Sequence, residues 1–431
     1  MGWYGAVGGQ PLGLGAMKLF DDLSWRGLIA NSTDPEALRA HLEAGPVKFY
    51  VGFDPTAASL HIGHLMQLLM ARRLQAAGHV PHLLVGGATG LIGDPKASGE
   101  RVMNDADVVA GWVERIREQT RRFVSFEGAN AARLVNNLDW TSQLNVIDFL
   151  RDLGKHFPVN RMLAREIVAS RLESGISFTE FSYVLLQSND YRELYRRHGV
   201  TLQTGGSDQW GNITAGVELL RRSDQAKVHA LATPLITKAD GTKFGKTEGG
   251  AVWLDPALTS PYAFHQFFLN AEDAKVVEYL KQFTFRTQEE IAELERSAHE
   301  EPWKRAAQHA LADDVTDLVH GEEQRRAAVA AAAALFGRGE LSELDAATLD
   351  GVVQEVGGQP MGEPMPFVDA MALSGIVKSK GEARRAVQEG GAYLNNAKVT
   401  DADLLLDAGQ LIHGRYGIIR RGKKTVGAVT L

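Results

Sequence analysis

Apolar positions in the first half of the chain come in short dense runs parted by glycine, and the runs alternate in period. VKFYVGFD (47–54) is almost continuously apolar over a strand's length, the pattern of a strand covered on both faces. LMQLLMARRLQAAG (65–78) places its apolar residues at helical spacing and ends on Gly78, which predicts a helix closed by a left-handed glycine. HVPHLLVGG (79–87) predicts the next strand and leads into the glycine-rich GGATGLIGD. A helix over 106–124 and a strand around RLVNNLDW (133–140) follow. Strands alternating with helices predict an α/β fold with a parallel sheet, whose ligands bind beyond the carboxyl ends of the strands. The loops at 54–64 and 87–95 would both lie there.

From about Ser260 the texture changes. AEDAKVVEYLKQF, TQEEIAELERSAHE, PWKRAAQHALADDVTDLVHG and EEQRRAAVAAAAALF succeed one another with helical patterning, which predicts an all-α domain over 260–354 behind a catalytic domain over 17–259. EVGGQPMGEPMP (355–366) reads as a linker, and a compact basic module over 367–431 closes the chain. The opening MGWYGAVGGQPLGLGA (1–16) has no basic start and no sustained apolar core. It reads as a flexible extension rather than a secretory signal, and Ala6 stands where a myristoylation signal needs Ser or Thr.

Composition sharpens this only in places. The 431 residues suffice for two or three domains, and 44% apolar with 23% charged content is ordinary for a globular protein. No apolar run reaches the length of a membrane span. The absence of cysteine excludes disulfides, thiolate nucleophiles and Cys-based zinc sites, and fits a reducing cytoplasm. The net charge of −7 gives no global basic field, yet residues 366–431 hold ten Lys and Arg against six Asp and Glu, while the rest holds 36 against 47. A basic end on an acidic body points to a local polyanion contact.

Four stretches carry candidate chemistry. In PTAASLHIGH, His61 and His64 flank Gly63 where a loop becomes a helix. H-x-x-H is compatible with zinc, but a third ligand is missing nearby. The pair is also compatible with a structural role, or with phosphate held at a helix N-terminus, where Gly63 would admit a planar group to the backbone. In TKADGTKFGKTEGG, Lys243 and Lys246 sit among glycines; the loop could close on a pyrophosphate, or be a solvated turn, and is not a Walker P-loop. In SFTEFSYVLLQSNDYREL, Ser177 and Glu180 have capping-box spacing. Tyr183, Gln187 and Asp190 then recur down one helix face, as a substrate pocket or as a wet side. In QTGGSDQWGN, Asp208 could accept from a ribose diol or cap a helix.

Taken in order, HIGH (61–64) and KFGKT (243–247) resemble the two ATP-handling signatures of class I aminoacyl-tRNA synthetases. YVGFDPTAASLHIGH, GGATGLIGDP, GISFTEFSYVLLQ and GGSDQWGNITAG narrow the resemblance to the bacterial-type tyrosyl branch, over about residues 18–431. It implies a Rossmann-like catalytic domain, a helical domain on the anticodon side, and an α+β RNA-binding module of the ribosomal S-four type, matched by GIVKSKGEARRAVQEGGAYLNNAKVTD. It implies a homodimer that uses ATP with Mg²⁺, L-tyrosine and tRNA(Tyr), with no protein-ligated metal, no DNA and no membrane.

By this resemblance Tyr50 and Asp190 meet the substrate phenol, and Asp94, Tyr183 and Gln187 hold its ammonium group. Asp54, Thr56, His61, Gly63 and His64 line the ATP side. Asp208 takes the ribose, Gln209 lies near the substrate carboxylate, and Lys243, Lys246 and Thr247 engage pyrophosphate. GDPKASGER is one residue shorter than a common family form, which leaves the roles of Lys96 and Arg101 open. Two rivals remain at this point. One is the tryptophanyl branch, whose indole offers a lone N–H. The other is a non-catalytic RNA-binding relic, for which the retained His and Lys pairs have no use.

Overall fold

The structure, a computed structural model, describes all residues except 1–16, 97, 98, 100–102, 248, 249, 423 and 424. The expected N-terminal extension and Arg101 lie outside the described residues. The central sheet comprises β1 (Asn31–Ser32), β2 (Lys48–Phe53), β3 (Val80–Val85), β4 (Arg133–Asn136), β5 (Leu202–Gly206) and β6 (His229–Thr233), in the order β1-β6-β5-β2-β3-β4. Strands β2 to β6 are parallel, and β1 runs antiparallel along β6. Phe49, Tyr50 and Val51 are buried in succession, as are Leu83, Leu84 and Val85, so both faces of these strands are covered. After β2 the chain moves to β3, while β5 later takes the other edge of β2. The order therefore reverses at β2, and a crevice opens beyond its carboxyl end.

The helix after β2, Ile62–Ala76, begins at the histidine pair and ends before Gly78, whose φ is +98°. It is buried nearly all round, and even its polar residues find partners inside. Gln67 Nε2 donates to Thr233 Oγ1 at 2.7 Å, Gln75 Nε2 to Ser125 O at 2.7 Å, and the Arg73 guanidinium to the Thr284 carbonyl. Phe178–His198, 21 residues long, starts on Ser177, whose Oγ accepts from Glu180 N at 3.2 Å, and stops at Gly199 in the left-handed region. The expected capping box forms only half: the Glu180 carboxylate turns instead to Arg171 at 3.2 Å, and both side chains are buried.

Two compact units emerge, and they divide the chain differently from the expected borders. One comprises 17–254 with 272–307, the other 255–271 with 308–431. The helices Val276–Phe283 and Gln288–Glu300 belong with the sheet for a reason of packing. Tyr279 donates its hydroxyl to Thr237 O at 2.8 Å, and its ring lies 4.2 Å from that of Phe244.

In the second unit the alanine-rich helix Glu322–Leu335 turns Ala328, Ala331 and Ala334 into a core shared with Leu349, Val352, Tyr416 and Ile418. Its five-stranded sheet is built on the pair Tyr416–Arg421 and Thr425–Thr430. The stretch read as a linker is woven into this unit. Gln359–Pro360 pairs parallel with Val429–Thr430, and Met365–Pro366 pairs with Leu405–Leu406. Proline forbids a donor at one position only, so short edge pairings survive in a sequence that looks like a spacer. Among the described residues no helix is long and apolar enough to cross a membrane.

Candidate active site

Residues from the carboxyl ends of β2, β3, β4 and β5 and from the Phe178–His198 helix build one slot. Asp190 is 2% exposed. Its Oδ1 accepts from Trp140 Nε1 at 2.8 Å and its Oδ2 from Asn137 Nδ2 at 3.0 Å. Burial pushes this carboxyl up to about 8, against the two N–H donors, which favour the ionised form. Beside it Tyr50, on β2, sets its ring 5.2 Å from that of Tyr191, at a tilt of 59°. Burial and the charge of Asp190 hold the Tyr50 phenol well above its ordinary range.

Among the described residues the Tyr50 hydroxyl is buried without a hydrogen-bond partner, as are Gln187 Oε1 and Gln203 Oε1. Gln203 pairs in register with Tyr50 across β5 and β2. Buried polar atoms without partners cost roughly 1–3 kcal/mol each, so they mark a place where a polar molecule belongs.

Around the slot runs a belt of carboxylates. Asp54 accepts from Thr89 Oγ1 at 2.6 Å and from Tyr183 OH at 2.5 Å. Gly86 makes room for this, since a Cβ there would lie 2.1 Å from Asp54 Oδ1. Asp94 accepts from Gln209 Nε2 at 2.8 Å and Asn212 Nδ2 at 3.0 Å. Asp54, expected on the nucleotide side, thus shares a hydrogen bond with Tyr183 of the expected ammonium group, and joins the two halves.

The histidine pair is tightly specified. His61 Nδ1 accepts from Gly63 N at 3.0 Å, and His64 Nδ1 accepts from His61 N at 3.2 Å. The rings stack with centroids 4.0 Å apart. Burial, with His61 adding to it, pulls the His64 pKa down to about 3, and burial followed by the charges of Lys246 and Lys243 lowers that of His61. Both imidazoles are therefore neutral near pH 7 and, with Nδ1 accepting, carry their proton on Nε2.

The first-turn N–H groups are already engaged: Ile62 N donates to Val252 O at 3.1 Å, Gly63 N to His61 Nδ1, and His64 N to His61 O at 2.8 Å. The imidazole Nε2–H groups, rather than the helix N-terminus itself, are the donors on offer. The planar group lying over Gly63 is the His61 ring, since a Cβ there would meet its Cε1 at 2.9 Å.

The lysine loop comes to the same place. Lys246–Thr247 pairs with Gly250–Ala251, Val252 N donates to Gly245 O at 3.0 Å, and Leu254 N donates to Leu60 O at 2.8 Å. Gly245, with φ +92°, packs so closely that a Cβ would lie 3.0 Å from Ile62 Cβ. Lys243 and Lys246 are exposed. Asp208 is exposed too, and the residue at the N-cap position of the helix Trp210–Ser223 is Gln209, whose side chain makes no capping bond. Thr56 is exposed in the turn after β2, and so is Lys96. Among the described residues no group of three or more His, Asp or Glu is arranged to hold a metal.

Asn137, Trp140, Thr89, Gln203 and Asn212 escaped the sequence reading. They show their purpose only through their partners in space.

Comparison with known proteins identifies the family. Residues 42–337 match the family model "tRNA synthetases class I (W and Y)". The chain belongs to that family. Residues 352–428 match a tyrosine–tRNA ligase C-terminal domain. Curated relatives include tyrosine–tRNA ligases of Cutibacterium acnes, 64% identical over 96% of this chain and 99% of the relative, and of Kineococcus radiotolerans, 62% identical over 96% and 98%. Among solved structures, a C-terminally truncated mitochondrial tyrosyl-tRNA synthetase of Coccidioides posadasii aligns at TM-score 0.64 and 32% identity over 72% of this chain and 91% of that one.

Proposed function

We infer that the protein activates L-tyrosine with ATP and transfers it to tRNA(Tyr). The observation that carries the amino acid choice is the buried, unpartnered Tyr50 hydroxyl beside an Asp190 carboxylate held by two N–H donors. A phenol hydroxyl entering this slot can donate to Asp190 and accept from Tyr50. Phenylalanine would leave both unmet, and an indole could satisfy only the acceptor. Asp94 and Tyr183, with Gln187, receive the ammonium group, and Gln209 lies by the substrate carboxylate.

That carboxylate is itself the nucleophile, so the protein's work is alignment and the stabilisation of spreading phosphate charge. ATP enters as its magnesium complex. Asp54 and Thr56 border its phosphates and Asp208 accepts from the ribose. Neutral His61 and His64 donate through Nε2–H, and the exposed ammonium groups of Lys243 and Lys246 close on the leaving pyrophosphate; the side chain of Thr247 lies outside the described residues.

The basic module over 367–431 supplies the RNA contact, and translation in the cytoplasm is the setting. A homodimer is supported by exposed apolar side chains concentrated in one segment: Val146 is 71% exposed, Ile147 63%, Val159 60% and Phe178 70%. Amino-acid-dependent exchange of pyrophosphate into ATP tests the reading. Exchange with tyrosine, followed by charging of total tRNA with tyrosine, is expected; exchange with tryptophan instead would overturn it. Sedimentation showing only monomer at micromolar concentration would remove the dimer.

A further inference from the structure

We propose that Arg165 is a positioning residue that sets the direction of the amide network on Asp94, and through it the grip on the substrate's α-ammonium group. The proposal rests on the reading of Asp94 given above.

Arg165 stands between the short helices Val159–Leu163 and Glu166–Ala169, where its backbone is extended at φ −68°, ψ 132°. Its half-buried guanidinium donates to Asn212 Oδ1 and lies over Gly211. A Cβ on Gly211 would meet Nη2 at 3.2 Å and Nε at 3.6 Å. Burial lowers the hold on its proton and the nearby Asp94 charge opposes this, so the cation stays.

The chemistry of the donors makes this one contact decisive. A guanidinium has five N–H donors and no acceptor, so the atom that Asn212 turns toward it must be oxygen. The Asn212 NH₂ is then left to face the other way, where it donates to Asp94 Oδ1 at 3.0 Å and to Gln209 Oε1 at 3.0 Å. That second bond fixes Gln209 in turn, whose NH₂ donates to Asp94 Oδ2 at 2.8 Å. One cation at the end of the chain thus orients two amides, and each carboxylate oxygen receives one N–H. Without it the acceptor-only Asp94 carboxylate still draws both NH₂ groups, but nothing holds Asn212 from its far side, and the frame that aims Asp94 loosens.

The test compares tyrosine with 3-(4-hydroxyphenyl)propionate, the same molecule without its amino group. In pyrophosphate exchange, Arg165→Met should raise the KM for tyrosine roughly tenfold, the scale of one hydrogen bond to a charged group, with kcat within about twofold. The inhibition constant of the deaminated analogue, which keeps the carboxylate beside Gln209 but has no ammonium group, should rise far less. Arg165→Lys should recover part of the loss, and Gly211→Ala, which pushes the guanidinium aside, should show the same split in milder form. An unchanged KM in Arg165→Met, or equal weakening of both ligands, would overturn the proposal. Asp94→Asn separates the two readings. If it leaves the preference for tyrosine over the analogue intact, the ammonium role of Asp94 is wrong. If it abolishes that preference while Arg165→Met keeps it, only the role of Arg165 falls.

Discussion

Burial lifts the Asp190 carboxyl to about 8 even though Asn137 and Trp140 both favour its ionised form. A folded-state pKa above the unfolded value of about 3.9 means that this group favours folding at low pH and loses that contribution as pH rises from about 4 to 8. The same shift touches substrate binding. A phenol donates best to the ionised carboxylate, so the KM for tyrosine should fall between pH 7 and 9, and steady-state kinetics of Asp190→Asn should lose that slope. Asp190→Ala removes the acceptor and strands the Trp140 and Asn137 donors. The preference for tyrosine over phenylalanine in exchange assays should shrink by about 1–3 kcal/mol, or roughly 5- to 150-fold. Gly63 works differently. A methyl group 2.9 Å from His61 Cε1 must displace the ring, so Gly63→Ala should slow adenylate formation roughly tenfold while equilibrium binding of tyrosine holds.

Elements position these residues by anchoring loops that would otherwise wander. The lysine loop is pinned by Phe244, which is 8% exposed and packs on Tyr279 and Phe283. Phe244→Ala opens a cavity there and should cost about 3–5 kcal/mol of stability. The KM for ATP should rise more than that for tyrosine, because Lys243 and Lys246 flank the anchor; a calorimetric melt together with both KM values checks this. The Arg171–Glu180 pair has a comparable duty at the other loop. Arg171 also donates to Lys96 O at 2.7 Å and Gly175 O at 3.2 Å, tying the segment after Asp94 to the start of the long helix. The capping-box spacing in the sequence located that helix start correctly, but the glutamate's second task was invisible, since its arginine partner is nine residues upstream and carries no local signature.

For the molecule as a whole, buried neutral histidines set the response to acid. Burial brings His64 down to about 3 and His79 and His82 to about 4, below the unfolded value of about 6.5. Their folded forms stay neutral where the unfolded chain takes up protons. The stability they support is complete above pH 6.5 and is lost as pH falls from there toward 4, by up to about 1.4 kcal/mol per pH unit for each histidine. Melting temperatures should decline steadily between pH 7 and 5. His82→Leu, at a fully buried position on β3, should lessen that decline.

Local patterning alone determined the α/β alternation, the helix boundaries at Ser177 and Gly78, and the words HIGH and KFGKT whose joint resemblance pointed to an adenylating enzyme. These are legible because they are short-range: a cap, a glycine or an apolar run acts on residues within one or two turns. The tertiary structure decided the rest. It gave residues 272–307 to the sheet rather than to the helices after them, because Phe244, Tyr279 and Thr284 find partners there. It made the supposed linker part of a sheet. It brought Asn137 and Trp140 to Asp190 across 53 and 50 residues, and Arg165 to Asn212 across 47. A buried charge is stable only when its partners surround it in space, and sequence distance does not record where the chain returns.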